Sequence, residues 1–153
     1  MKRYLAIDLG DNRTGLAVGD DMTNIVGPAG QIAVPVTADE GRSLLDAIAK
    51  ACDERLGPDD ELVVGLPMNM DGSEGPRAKI VRAWAKRIQD RTGRTVHLAA
   101  DRKSTQRADE QMARTGLTHG QKKQRRDALA AKAILERFLA DRDQTGSGGA
   151  LES

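Results

Sequence analysis

The sequence predicts an α/β fold: one mixed sheet, an antiparallel three-strand meander plus two parallel strands, with helices on both faces. Three observations carry this expectation. Two short apolar runs, "YLAIDLG" and "TGLAVGD", are separated only by turn residues around Asp11-Asn12, which reads as a hairpin. Two later apolar runs, "ELVVGLP" and "TVHLAA", each follow a segment with helical spacing, and such strand–helix–strand crossovers give parallel neighbours. Between the two sets the apolar period changes from two residues to three and four.

The elements follow in order. The first strand ends in Gly10, and the second spans "TGLAVGD". A third is expected at "QIAVPV", on an edge because Pro35 has no amide to give to a ladder. From Asp39 onward, Leu44, Leu45, Ile48, Ala49 and Cys52 recur at helical spacing until "LGPDD" stops them. "ELVVGLP" is apolar on both alternating faces, the pattern of a central strand. After the polar loop "NMDGSEG", Pro76 suits the first turn of a helix whose stripe is Val81, Trp84, Ala85 and Ile88. "TVHLAA" is the fifth strand. Ser104 or Thr105 caps an expected helix through Ala108 and Met112, ended by Gly116. "THGQKKQRR" reads as a basic loop, and Asp127 as the opening residue of a last helix bearing Ala131, Ile134, Leu135 and Phe138. Residues 1–140 form the expected domain, and 141–153, "DRDQTGSGGALES", a disordered C-terminal tail.

Composition narrows the class. The 153 residues suit one domain with a real core, built from aliphatic side chains because aromatics are only 2%. No apolar run approaches the ~20 residues that span a bilayer, so no membrane is expected as a partner. Cys52 is the single cysteine, which excludes an internal disulfide; it reads as a small buried hydrophobe. The expected location is the cytoplasm.

The net charge of +1 conceals an asymmetry. Residues 1–76 carry a balance of −8, residues 77–126 a balance of +11, and the remainder −2. Solvated helix faces usually mix signs, and the middle segment hardly does. It therefore reads as a basic face for a polyanion.

The chemistry is expected at the carboxyl ends of the parallel strands, where sites form in such sheets. Asp8, the "PMNMDG" loop and Asp101 all follow apolar runs and are placed to meet there. Asp8 ends a buried strand, where a bare carboxylate is costly unless paired or bound to a cation. Gly10 and Gly15 allow a tight turn and a close approach to a ligand, and Arg13 in the turn has the reach for a phosphate. Asp127 lies in register with Ala131, Ile134 and Phe138, so it faces the sheet. Three converging carboxylates repel unless divalent ions neutralise them. Mg²⁺ favours such oxygens, and a pair of ions activates water and stabilises the leaving oxygen of a phosphodiester. Asn69 and Ser73 in the polar loop, and Lys122, Lys123, Arg125 and Arg126 in the basic one, are candidate contacts to nucleic acid. His97 lies inside a strand pattern and reads as structural; His119 reads as exposed. No cysteine–histidine spacing suits zinc, and no GxxxxGK[ST] or GxGxxG motif occurs.

Four stretches, "AIDLGDNRTGLAV", "VVGLPMNMDGSEGP", "ADRKSTQRA" and "KKQRRDALAAKAIL", resemble the YqgF/RuvX family of the RNase H-like superfamily. Its members are described as Holliday-junction resolvases and as pre-16S rRNA nucleases. The likeness runs from about Arg3 to Ala140 and implies an RNase H-like sheet. It also implies a nuclease using Mg²⁺ or Mn²⁺, with two metals, on structured RNA or branched DNA. The family's metal-binding acids match Asp8 and Asp127 directly. Where the family reads Asp-Glu-Arg, this chain reads Ala100-Asp101-Arg102, so Asp101 stands for the longer glutamate. Arg102 and Ser104 join the implied nucleic-acid contacts. Lost reach at Asp101 gives the alternative reading, a nucleic-acid-binding module with weak or lost catalysis. Either is expected as a monomer or homodimer.

Overall fold

The computed structural model describes residues 1–101 and 119–145. Five strands form one sheet in the order β3-β2-β1-β4-β5: β1 (Arg3–Leu9), β2 (Thr14–Asp20), β3 (Val26–Ile32), β4 (Glu61–Pro67) and β5 (Val96–Asp101). The β1–β2 and β2–β3 pairs are antiparallel; β1–β4 and β4–β5 are parallel. This is the expected mixed sheet. The three parallel strands end on the same edge.

Two helices follow the expected stripes. α1 (Arg42–Arg55) comes after a single tight turn at Ala38–Gly41. α2 (Pro76–Thr92) starts on its proline and stops at Gly93, which adopts the left-handed conformation that ends helices. Both pack on one face of the sheet. Leu44, Ile48 and Cys52 of α1 and Val81, Trp84 and Ile88 of α2 meet Leu5, Ile7, Leu62, Val64 and Val96. Burial raises the Cys52 thiol to about 11, so it stays neutral and packs as a hydrophobe.

The opposite face belongs to α3 (His119–Thr145). Ala131, Ile134, Leu135, Phe138 and Leu139 cover Tyr4, Ala6, Ala17, Val63 and Ala99. Tyr4 meets Phe138 edge to face at 5.3 Å, and the Arg142 guanidinium lies over both rings. His97 is buried beside them, with Nε2 2.7 Å from Glu61 Oε1, in a structural role.

Three expectations shift. The third strand is Val26–Ile32, not "QIAVPV"; it is an edge strand, but its proline is Pro28. Gly27, Pro28 and Gly30 dilute the alternating pattern that would have marked it. The last helix begins at His119, so "QKKQRR" is helical and Asp127 sits within the helix. Gln, Lys and Arg are good helix formers, and nothing between Gly120 and Asp127 breaks their run. The helix also continues to Thr145, five residues into the segment read as a tail. The rest of that tail, and the expected helix through Ala108 and Met112, lie outside the described residues. No helix among the described residues is long and apolar enough to cross a membrane.

Candidate active site

Alternation along each strand decides which side chains share a face. Tyr4 and Ala6 lie under α3, so Asp8, two residues on, continues that row. Ala99 lies under α3, so Asp101 does as well. Ala100 falls in the alternate row with Val96 and Leu98, toward α1 and α2. An acid at position 100 would therefore lie on the wrong side of the sheet to join Asp8; the residue that faces Asp8's side is Asp101.

The register brings these acids to one edge. Asp8 pairs with Gly15 on β2, and β4 presents Gly65 to its other side, one residue beyond the Ile7–Val64 pair. Neither neighbour has a side chain, and both gaps are used. A Cβ on Gly15 would run into the backbone carbonyl of Asp127, so α3 touches the sheet beside Asp8. A Cβ on Gly65 would meet the Ile134 side chain and come within 3.7 Å of the Asp101 Cβ. Gly15 was expected to admit a ligand; it admits the helix that carries Asp127. Asp101 is fixed by the last rung of the β4–β5 ladder, Pro67 with Asp101, and by Met68 N–H donating to the Asp101 carbonyl at 3.3 Å.

The electrostatics match this crowding. Burial, then the charge of Asp101, then that of Asp127 push the Asp8 carboxyl up to about 7, with Arg77 pulling against them. Arg13 Nε lies 3.3 Å from Asp127 Oδ2. Arg77 reaches across from α2, its Nη1 2.6 Å from Asp11 Oδ1 and its Nη2 donating to the Leu9 carbonyl at 3.1 Å. It thus braces the turn leaving β1. Among the described residues, no three His, Cys, Asp or Glu side chains stand close enough to hold one ion together. The acids act on one another through space but are not drawn into a common shell.

The polar loop is organised from within. Asn69 Nδ2 donates to Ser73 Oγ at 2.9 Å, and the Ser73 amide and hydroxyl donate to Asp71 Oδ1 at 2.9 and 2.6 Å. Both Ser73 donors expected at a phosphate are therefore occupied by the turn. Arg102 and Ser104 lie outside the described residues. The backbone of Lys122, Lys123, Arg125 and Arg126 forms the first turns of α3, on the run leading into Asp127, but their side chains are not described.

Reading the sequence missed Gly65, Arg77 and Asp11. Gly65 had a signal: a glycine inside an apolar strand marks a close approach. Arg77 and Asp11 had none, because they are 66 residues apart and only the fold joins them.

Comparisons with known proteins bear on the family and the fold. Relatives called "Putative pre-16S rRNA nuclease" include one from Anaeromyxobacter sp. (strain Fw109-5), 36% identical over 140 residues, spanning 92% of this chain and 98% of the relative. Another, from Chromohalobacter salexigens, is 38% identical over 138 residues, 90% of this chain and 88% of the relative. The solved structure of T. thermophilus RuvC in complex with Holliday junction substrate superposes with a TM-score of 0.56 over 99% of this chain and all of its own. At 15% identity that likeness speaks for the fold, an RNase H-like one. The family model for RuvX, Holliday junction resolvase, matches residues 2–141, and with relatives above 30% identity along nine-tenths of its length, this chain belongs to the RuvX family.

Proposed function

We propose that this chain is a divalent-metal-dependent endonuclease that hydrolyses phosphodiesters in structured nucleic acid. Its first substrate class is the ends of precursor 16S rRNA, in ribosome biogenesis, and its second is Holliday-junction-type DNA. The relatives' names and the family description support the substrate classes. The observation that carries the chemistry is Asp8, pushed up to about 7 by burial and by Asp101 and Asp127 on the same face. Such a gathering of hard oxygen donors suits Mg²⁺ or Mn²⁺.

Asp8, Asp101 and Asp127 would hold the metal, or two of them. The ion supplies an activated water and stabilisation of charge on the phosphate oxygens. The chain's own residues do the rest. The β1–β4–β5 edge fixes Asp8 and Asp101, and α3 brings Asp127 against Gly15. Arg13, Arg102, Ser104 and the basic first turns of α3 bind the sugar–phosphate backbone, with the Asn69–Ser73 turn bordering the site. The cytoplasm is the matching location, and a monomer or a homodimer fits the work.

The test is cleavage of a precursor 16S rRNA end and of a four-way junction in Mg²⁺, comparing the parent with Asp8→Asn. Loss of at least a hundredfold in rate is expected; equal rates would overturn the mechanism. The binding-module alternative draws on one observation, the short side chain at Asp101. Asp101→Glu separates the two: a gain in rate marks a working nuclease, whereas salt-sensitive binding without cleavage by either form marks the module.

A further inference from the structure

We propose that Arg13 is a resident cation of the metal-free site, paired with Asp127 until a divalent ion takes that carboxylate, and that the freed guanidinium then binds a phosphate of the nucleic acid. The inference rests on reading Asp8, Asp101 and Asp127 as metal ligands.

Among the described residues, two guanidinium groups stand at this edge, and they are engaged differently. Arg77 grips the Leu9 carbonyl and Asp11, an exposed acid outside the cluster. Arg13 instead pairs with Asp127, one of the proposed ligands, its Nε 3.3 Å from Oδ2. At that length the contact is weaker than arginine's strongest charge-assisted pairings, which lie at about 2.7–2.9 Å. The Arg13 side chain is 37% exposed, so it can swing into solvent without breaking the core. Asp127 Oδ2, in contrast, is shielded from water. Its position is set by α3 lying on Gly15, so the carboxylate stays while the guanidinium is free to leave.

A divalent ion carries twice the charge of a guanidinium and seeks the same oxygen. Once it is bound, Asp127 no longer needs Arg13. The turn that carries Arg13 follows Asp8 directly, so the released group stays beside the acids, where a phosphate must lie to be hydrolysed. Ion and phosphate would then help each other bind, by the reciprocity any coupled pair obeys.

Calorimetry of Mn²⁺ binding to the metal-free full-length protein tests the first half, with Asp8→Asn marking the specific site. Arg13→Gln should tighten Mn²⁺ binding by about fivefold or more, within the usual range of site coupling. Arg77→Gln removes an equal charge from the same edge and should tighten it less. Binding that is lost in Asp8→Asn but equal or weaker in Arg13→Gln, or equally tightened in Arg77→Gln, overturns the role of Arg13 and leaves the metal site standing. No Asp8-dependent Mn²⁺ binding in the parent overturns both. For the second half, the affinity of a four-way junction is measured against salt with and without Ca²⁺, which takes the same oxygen donors. Arg13→Gln should lower the slope by about one phosphate contact only when the ion is present. An equal loss in both conditions, or none in either, overturns the exchange.

Discussion

A carboxyl group whose ionisation is opposed by burial and by neighbouring acids becomes a thermodynamic burden once the metal-free protein must carry its charge. The sign follows from linkage. The folded Asp8 carboxyl titrates at about 7, above its ordinary value of 3.8, so the folded state binds more protons between those pH values. Stability contributed by the neutral acid is full below pH 4 and is lost as pH rises through 7. The span corresponds to roughly 4 kcal/mol at ~1.4 kcal/mol per pH step. In chelator, the urea midpoint of the parent should therefore fall relative to Asp8→Asn as pH is raised from 5 to 8. Parallel curves would show that Asp8 ionises freely. The residues of this cluster were legible to different degrees. Asp8 announced itself, an acid closing an apolar strand. Asp127 was placed on its helical face by the spacing to Ala131 and Ile134, although not at the right point along its helix. The distinction between Ala100 and Asp101 needed the strand's register, which fixes which of two adjacent residues looks toward α3.

Between elements, the decisive contacts are those α3 makes with two bare strand positions. Gly15→Ala places a methyl group against the Asp127 backbone and should cost about 1–3 kcal/mol in denaturant unfolding, with cleavage falling further than stability because Asp127 is displaced. At Gly65 the obstacle is a side chain, Ile134, which can be trimmed. Gly65→Ala should destabilise alone, and adding Ile134→Val should recover part of the loss, a coupling read from the double-mutant cycle. Additive effects would mean the two positions do not touch. The strands of the central sheet were plain in the sequence because β1, β2 and β4 are nearly unbroken apolar runs. β3 was misplaced, since an edge strand with Gly27, Pro28 and Gly30 buries little and carries little pattern. The early start of α3 was hidden for a different reason: cationic residues ahead of an acid resemble a loop followed by a cap, and only propensity argues otherwise.

Over the whole molecule, the charge asymmetry is smaller in space than along the chain. Arg77, Arg82 and Arg91 of α2 pair with Asp11, Glu74 and Asp46, acids from the negative first half. Much of the basic excess on α2 is therefore spent within the fold. Along the chain, the rest of the basic excess falls in residues 102–126. Replacing Lys122, Lys123, Arg125 and Arg126 together with Gln should lower the salt slope of junction binding by up to about 3.6. Arg82→Gln, taken from the bidentate pair with Glu74, should leave the slope unchanged. Equal slopes for both variants would move the binding face elsewhere. The three acids come from positions 8, 101 and 127, so the last arrives only when α3 docks on the sheet. A chain still leaving the ribosome can pair its strands yet lack its third carboxylate. On the proposed site, a nuclease made on a machine of RNA would therefore lack its full set of acids until that helix has docked.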